Sequence, residues 1–402
     1  MVTQEENEMM TRVGPGTPGG ALLRRYWHPV AAAVELSEEA PIRSLRIMGE
    51  DLVLYRDRSG AYGLVGEHCP HRRASLAFGR VDEEGIRCPY HGWKFARDGR
   101  CLETPAEPPA SPLKEETRHT AYPVRKLGGL LFAYMGPLPA PALPHWDVLA
   151  WSHGQRWILK FPVLECNWLQ AAENAVDSSH VYWLHGTKTD LGFDPYKEEH
   201  EFVPFEYGIL KRRLLPPKVP GGPKQVDQHP LLFPSTLRHV LGKTPSGAPE
   251  KSREALLSRG GKHGFVHDLQ FRVPIDDSHT LSYLVFFQAS ESERMAPQDD
   301  VPVADFPMRG ADGEYRLDKV FAQDVMAWET QGPILDRTQE CLGVSDLGIV
   351  KLRRLLLEQI RRVQEGGTPM GVVPAEQESK LIELEVIRTR HGLTEPEREK
   401  VG

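Results

Sequence analysis

Two short cysteine–histidine pairs constrain this chain more than any other feature. His68-Cys-Pro-His-Arg-Arg73 and Arg87-Cys-Pro-Tyr-His-Gly-Trp93 form the pattern C-x-H, sixteen residues, C-x2-H. A fold that carries it must bring two loops tip to tip. Two thiolates and two imidazoles suit a structural zinc ion. Each half supplies one of each type, however, so two loops can deliver both thiolates to one iron and both imidazoles to a second. That division favours a two-iron, two-sulfide cluster, with zinc as the alternative. Pro70 and Pro89 stiffen the loops, Gly92 permits close backbone approach, and Tyr90 and Trp93 are expected to keep water off the site. The chain has only five cysteines in 402 residues, which excludes a disulfide framework and predicts a reducing, cytoplasmic setting. Cys101, Cys166 and Cys341 match no ligand spacing and are read as ordinary thiols.

Around these loops, from Ile42 to about Met135, short apolar runs alternate with Gly, Asp and Pro turns, which predicts strands. Asp57–Gly60 and Arg97–Arg100 read as hairpin connections. The proline-rich stretch from Gly136 to Pro144 forms neither helix nor central strand and marks a domain boundary. Beyond it the pattern gives a strand near Trp157–Val163, a helix from Asn167 to about Leu184 and a loop-rich stretch from Pro216 to about His263, either a lid or a surface insertion. Strands follow near Leu269–Val273 and Leu281–Phe287. Ile349, Leu352, Leu356 and Ile360 keep helical spacing, and Leu381, Leu384 and Ile387 are read the same way. The first 17 residues are polar and expected to fray until docked. Gly14-Pro-Gly-Thr-Pro-Gly19 fits G-x-G-x-x-G but lacks a preceding strand and a βαβ unit, so it is a tight loop and no dinucleotide site. The net charge of −7 with no basic block argues against nucleic acid. No apolar run is long enough to span a bilayer, and the acidic start lacks the layout of a signal peptide.

A second constellation lies in the predicted helix, where Asp177, His180 and His185 form D-x2-H-x4-H. Alone it is weak, because a buried helix with locally bonded histidines is the simpler reading. A one-electron cluster elsewhere in the chain changes the balance, since its electrons need a destination. On a straight helix Asp177 and His180 fall within about 60° of each other, but His180 and His185 are about 140° apart. The helix must therefore end or distort between them, with Gly186 placed to stop it. Two histidines and one carboxylate on one face of an octahedron leave positions open for O2, as in non-haem Fe(II) oxygenases. Asp177 is one candidate carboxylate, and spacing alone cannot choose among 56 acidic residues.

Together these motifs resemble the Rieske non-haem iron ring-hydroxylating oxygenases, alpha subunit, of the phthalate 4,5-dioxygenase-like group. Arg72, Arg73, Tyr90 and Gly92-Trp93 stand where respiratory Rieske proteins carry disulfide cysteines and a cluster-bonding serine. The resemblance covers Leu23–Pro29, the Cys69/His71/Cys88/His91 loops, the Asn167–His185 segment and the block Gln323-Asp-Val-Met-Ala-Trp-Glu329 to Asp346. It thins between about His200 and Leu317. It implies an α+β fold: an N-terminal segment and helix (1–40), a small antiparallel β Rieske [2Fe-2S] domain (41–140), and a catalytic domain (141–402) with an antiparallel, helix-grip-like sheet. It implies that Cys69, His71, Cys88 and His91 hold the cluster, and that His180, His185 and Asp324 hold one mononuclear Fe(II), with Glu329, Asp336 and Asp346 as rivals to Asp324. Asp336 and Arg337 are expected to pair. Asp177 then becomes the bridge through which electrons pass from His91 of an adjacent subunit to His180.

The activity so implied is that of a terminal oxygenase. It would use O2 and electrons from a separate NAD(P)H-dependent flavin/iron–sulfur reductase to hydroxylate or demethylate an acidic aromatic molecule. The assembly implied is a homotrimer or a stacked hexamer. Lys188, Arg212 and Arg213 are candidates to grip the acid, against plain surface charge. The competing function, a non-catalytic Rieske electron carrier with a docking domain, leaves the second constellation unexplained.

Overall fold

The computed structural model describes residues 2–152, 154–186, 198–241, 265–289, 298 and 300–389. The amino terminus is helical and docked on the body through Asn7, which donates to the Leu335 carbonyl: α1 spans Gln4–Thr11, and Thr3 and Glu6 close a reciprocal cap at its start, which satisfies two otherwise orphaned N–H groups. The loop at Gly14–Thr17 leads into α2 (Pro18–Leu23), with proline in its first turn.

Three antiparallel sheets follow. The first places β1 (Trp27–Ala32) at the edge of two later strands. The second begins with β2 (Ile42–Ile47), β3 (Glu50–Arg56) and β4 (Tyr62–Gly66), and Asp57–Gly60 lies in the turn between the last two. A small third sheet holds β5 (Arg80–Val81), β6 (Ile86–Arg87), β7 (Lys94–Phe95) and β8 (Cys101–Glu103) in sequence order. Then β9 (Ala121–Tyr122) joins β4, while β10 (Val124–Leu127) and β11 (Leu130–Tyr134) complete the first sheet in the order β1-β11-β10. The second and third sheets share a core of Val53, Tyr55, Val65, Leu76, Ile86 and Phe95, which also receives Cys69 and Cys88.

After the prolines, β12 (His145–Trp146) precedes β13 (Gly154–Lys160) and then α3 (Trp168–Asn174). The large sheet continues with β14 (Glu199–Phe205), β15 (Gly208–Leu215), β16 (Gln225–Leu232), β17 (Thr236–Leu241), β18 (Val266–Pro274), β19 (Thr280–Ala289) and β20 (Val303–Asp305). Its order is β14-β15-β16-β17-β18-β19-β13-β20, antiparallel except for the last pair. Two strands therefore occupy part of the stretch read from composition as loop, and 242–263 lies outside the described residues. Two helices follow, α4 (Val320–Glu329) and α5 (Leu347–Gln364), then β21 (Leu381–Ile382) and β22 (Ile387–Arg388).

The last two strands overturn the helix expected at Leu381–Ile387. Ile382, Leu384 and Val386 are buried and the residues between them exposed. That is a period of two, and the leucine spacing masked it. Likewise the helix expected from Asn167 to Leu184 ends at Asn174. It is buried on nearly every side, so its apolar pattern gives no face and no end.

A buried ionic cluster fixes α3. Glu173 accepts from Arg337 Nη2 at 2.9 Å and Arg353 Nε at 2.6 Å, and Asn7 of α1 accepts from Arg337 Nη1 at 3.1 Å. Arg337 thus pairs with Glu173 and not with Asp336, which instead caps Thr338. Burial by itself would raise the Glu173 pKa, but the two guanidiniums outweigh it and hold the carboxyl below its ordinary value. The pair's stabilisation is therefore present above the unfolded carboxyl pKa and is lost as pH falls through the lower folded value. Glu173→Gln leaves buried Arg337 without a carboxylate, whereas Arg353 keeps Glu340, and a loss of about 3–5 kcal/mol is expected in chemical denaturation. The deficit should shrink as the pH is lowered through the acid range.

Candidate active site

The two cysteine–histidine loops sit at the ends of neighbouring hairpins. Cys69 N–H donates to the Ala74 carbonyl and Arg73 N–H to the Cys69 carbonyl, with Arg73 at φ +64° closing the loop. In the second loop Cys88 N–H donates to the Trp93 carbonyl and Gly92 N–H to the Cys88 carbonyl. Gly92 has φ +75°, where a side chain would be strained and would press on Pro105. The requirement on this glycine is thus the turn itself. His71 and His91 approach to 4.7 Å between ring centroids, and Trp93 stacks on His71 at 4.6 Å and 1°. Trp93 is buried, whereas Tyr90 is exposed and lies over His91. Only the tryptophan is a water-excluding cover of the kind expected.

Burial, followed by the neighbouring Cys88, pushes the Cys69 thiol up to about 11. Both thiols are free, and His91 Nδ1 is buried with no hydrogen-bond partner. A metal would relieve all of this by binding the thiolates and the ring nitrogens, so the donor set fits a [2Fe-2S] cluster.

The second constellation resolves the helical-wheel conflict. Val181–His185 forms a π-helix with His180 at its start and Gly186 at its end. In that geometry hydrogen bonds run from residue i to i+5. Two histidines five positions apart therefore come round to the same side. Asp324, on α4, meets them: ligand atoms of His180, His185 and Asp324 lie within 4.8 Å of one another. His185 Nε2 is 3.2 Å and His180 Nε2 3.8 Å from Asp324 Oδ1. Of the rival carboxylates, Glu329 accepts from Arg309 and Tyr315, and Asp346 caps Gly343.

Behind the triad, Gln323 Oε1 accepts from His185 Nδ1 at 2.7 Å, and its amide donates to the Leu317 carbonyl. The bond leaves Nε2 without a proton and aimed at the site. Burial opposes a charge on His185, but Asp324 and Gln323 outweigh it and raise its pKa. Asn174 at the end of α3 reaches Asp324 Oδ1 at 3.5 Å. These two amides escaped the sequence reading. Gln323 was within reach of it, as the neighbour of Asp324; Asn174 was not.

Asp177 Oδ2 stands 3.3 Å from His180 Nδ1, without hydrogen-bond alignment. Its side chain accepts from Ser179 N–H at 2.7 Å. Burial would raise its pKa, but His180, Ser179 N–H and Lys211 outweigh this and lower it. Asp177 thus backs His180 and stands apart from the triad.

The sheet turns one face toward this site. On β15, Lys211 and Arg213 alternate with Arg212, which is bonded to Gln228 on the other face. Arg213 is held by Glu198 through two nitrogens, so its guanidinium is already matched to a carboxylate. Lys188 lies outside the described residues. Lys211 is the cation that the sequence reading missed, and the strand's alternation was the signal for it. It is buried, donates to the Asp177 carbonyl at 3.3 Å, and is lowered to about 8 by burial and then by Arg213 and Arg272. Arg272 on β18 is also buried and lies over the Trp328 ring of α4.

Comparison with known proteins decides the family. Residues 26–123 match the profile of the Rieske [2Fe-2S] domain, and 311–391 that of the LigXa C-terminal domain like family. The chain is 40% identical over 418 residues to the 5,5'-dehydrodivanillate O-demethylase oxygenase subunit of Sphingobium sp. (strain NBRC 103272 / SYK-6), covering 100% of this chain and 91% of the relative. It belongs to the Rieske non-haem iron oxygenases, as an alpha subunit.

Against the phthalate 4,5-dioxygenase oxygenase subunit of Pseudomonas putida this oxygenase subunit is 33% identical, over 92% of its own length and 89% of the relative's. Among solved structures, NdmB of Pseudomonas putida CBB5 superposes with a TM-score of 0.66 at 18% identity, covering 88% of this chain and 96% of that one. Dicamba monooxygenase bound to dicamba gives 0.60 at 18%, covering 86% and 99%. These likenesses bear on the fold. The subunit is the terminal oxygenase component of a multicomponent system, with a Rieske cluster and a mononuclear non-haem iron. Among the described residues no helix is long and apolar enough to cross a membrane.

Gln323→Leu should weaken mononuclear iron binding by about 10–100-fold, as lost support of a ligand histidine does. Iron titration into anaerobic, iron-depleted protein measures it, and the cluster's absorbance should be unchanged.

Proposed function

We propose that this subunit hydroxylates or O-demethylates an aromatic carboxylic acid, taking electrons from a separate NAD(P)H-dependent flavin/iron–sulfur reductase. The observation that carries the substrate class is the pair Lys211 and Arg272. Both are buried on the face turned toward the triad, and among the described residues neither has a carboxylate at ion-pair distance. Buried charge is retained only where something compensates it, and a substrate carboxylate does so here. Demethylation is favoured over ring dioxygenation by the 40% likeness to a protein named as an O-demethylase against 33% to one named as a dioxygenase.

In this reading Cys69, His71, Cys88 and His91 hold the cluster, and His180, His185 and Asp324 the mononuclear iron. The cluster supplies single electrons and the iron activates O2 when they are bound. Lys211 and Arg272 bind and orient the acid. Trp157 and Phe286, stacked at 5.4 Å, and Trp328 form the apolar surroundings that exclude water. Asp177 stands beside His180 Nδ1 at 3.3 Å and, in a homotrimer or stacked hexamer, meets His91 of the adjacent subunit. The domains are divided as 1–40, 41–140 and 141–402, and the cytoplasm is the proposed location.

Iron and acid-labile sulfide on protein purified without oxygen should stand near three to two. Oxygen uptake with methoxybenzoates should then release formaldehyde. A ratio of two to two that persists after Fe(II) addition leaves an electron carrier instead. Lys211→Met should raise KM for the acid at least about tenfold while sparing the corresponding methyl ester, since a charged hydrogen bond is worth about 1.5–3 kcal/mol. Asp177→Asn should keep both centres loaded and slow cluster reoxidation during turnover. Unchanged reoxidation would remove its bridging role.

A further inference from the structure

The first sheet and the large sheet meet around a cavity on the side away from the triad. Phe271 and Val273 of β18 line it, with Trp27 and Phe132 of the first sheet. Strand alternation sends Arg272, between the two β18 residues, to the opposite face, where it lies over Trp328. Arg25, Pro141 and Val372 line both this cavity, of about 40 Å³, and a surface groove of about 420 Å³. The groove has the size of a small-molecule site. The inner cavity is far below the volume that takes a benzene ring and admits only a substituent.

Prolines form the rims of the groove, Pro137, Pro139 and Pro141 on one side and Pro369 and Pro374 on the other. The aromatic donors around it are committed to those rims. Tyr134 Oη donates to the Pro137 carbonyl at 3.1 Å, Trp27 Nε1 to the Pro141 carbonyl at 3.0 Å, and Tyr26 Oη to the Met370 carbonyl at 2.8 Å. Ala142 N–H donates to the Val373 carbonyl at 3.1 Å and ties the two rims together. The groove is therefore formed in advance, and a ligand orders little by entering it.

One charge on these walls has no partner. Arg24 pairs with Glu50, and Arg125, which lies over the Trp27 ring, pairs with Glu378. Arg25 is half-buried, and among the described residues its guanidinium has neither a hydrogen bond nor a carboxylate at ion-pair distance. It stands near the Tyr134 phenol of the groove: burial raises that pKa, and the Arg25 charge opposes the rise. A polyanion would meet a single cation here, and a sugar would meet prolines. One cation on apolar walls suits one carboxylate on an apolar body.

We propose that the groove binds an apolar monocarboxylate, its carboxylate on Arg25 and its body on the prolines. The site is distinct from Lys211 and Arg272, which lie on the other face of the sheet, and it does not depend on the reading of the substrate. A bound acid bridges the two rims and stabilises the fold by mass action.

Equilibrium dialysis of labelled octanoate against the Lys211→Met subunit, both centres loaded, tests the site without competition from the triad face. Octanoate should bind saturably, and adding Arg25→Met should weaken it at least about tenfold. Arg25→Lys should lose less, and 1-octanol should bind alike with and without Arg25→Met. Labelled benzoate is run alongside; loss of either acid in Arg25→Met supports the site, and the tighter acid tells ring from chain. Absence of binding by both acids, or affinity unchanged by Arg25→Met, overturns the site. Ala140→Trp, which fills the groove and keeps the cation, serves where Arg25→Met does not fold, and unchanged binding there overturns it too. With Lys211 intact, Arg25→Met should leave kcat/KM for 3-methoxybenzoate unchanged, and a tenfold fall overturns a site separate from the triad. If the native subunit does not consume that acid, the substrate reading fails and the dialysis still decides the groove.

Discussion

Glu173 is the point on which the catalytic half depends. Its carboxylate lies between Arg337 and Arg353, and through Arg337 it is tied to Asn7 at the amino terminus. Three parts of the chain that are far apart in sequence, at Asn7, Glu173 and Arg337 to Arg353, converge on one buried charge. Such a cluster is costly to assemble and more costly to break, which suits it to fixing position rather than adding net stability. What it fixes is α3, the helix from which Asp177, the π-turn and both histidines hang. Asn167 anchors the other end of that helix, capping Leu169 N–H and bonding to the Thr11 and Asp277 carbonyls.

From that anchor the site follows by geometry. The π-turn rotates His185 into line with His180, and the Gln323 side chain holds its ring at 2.7 Å. A sub-ångström shift in α3 would move both histidines relative to Asp324, which arrives independently on α4. Facing them, the sheet presents an unusually polar interior. Arg213 and Glu198 satisfy each other there, as do His239 and Asp268. Lys211 and Arg272 do not find such partners, and this difference within one surface is what singles them out as the proposed binding charges.

Much of this was legible in the sequence. The cysteine–histidine loops stood out because ligand chemistry restricts both residue type and spacing, and their hairpins were visible in the turn residues. The clash on the helical wheel correctly required a distortion between His180 and His185, though periodicity could not specify a π-turn. Other features failed for identifiable reasons. Residues Leu381 to Ile387 looked helical because the leucines sit three apart, while the buried set is the alternate one. Arg212 and Arg213 drew attention as an adjacent basic pair, yet the strand sends them to opposite faces, and it is Lys211 that reaches the Asp177 carbonyl. The partner of Arg337 could not be read at all, because Glu173 is 164 positions away.

The same separations bear on the order in which the two metal centres can be made. The proposed cluster ligands lie in adjacent hairpins of a compact β unit whose core is local. The proposed iron site needs His185 together with a segment 138 positions later, and its supporting cluster adds Arg353, 180 positions beyond Glu173. Domains fold as they leave the ribosome, and distant contacts wait for their sequence. The electron-receiving end of the protein is thus ready for its cofactor while the oxygen-handling end is still unbuilt. A ribosome-bound nascent chain can carry a filled cluster and still have no site at which O2 could react.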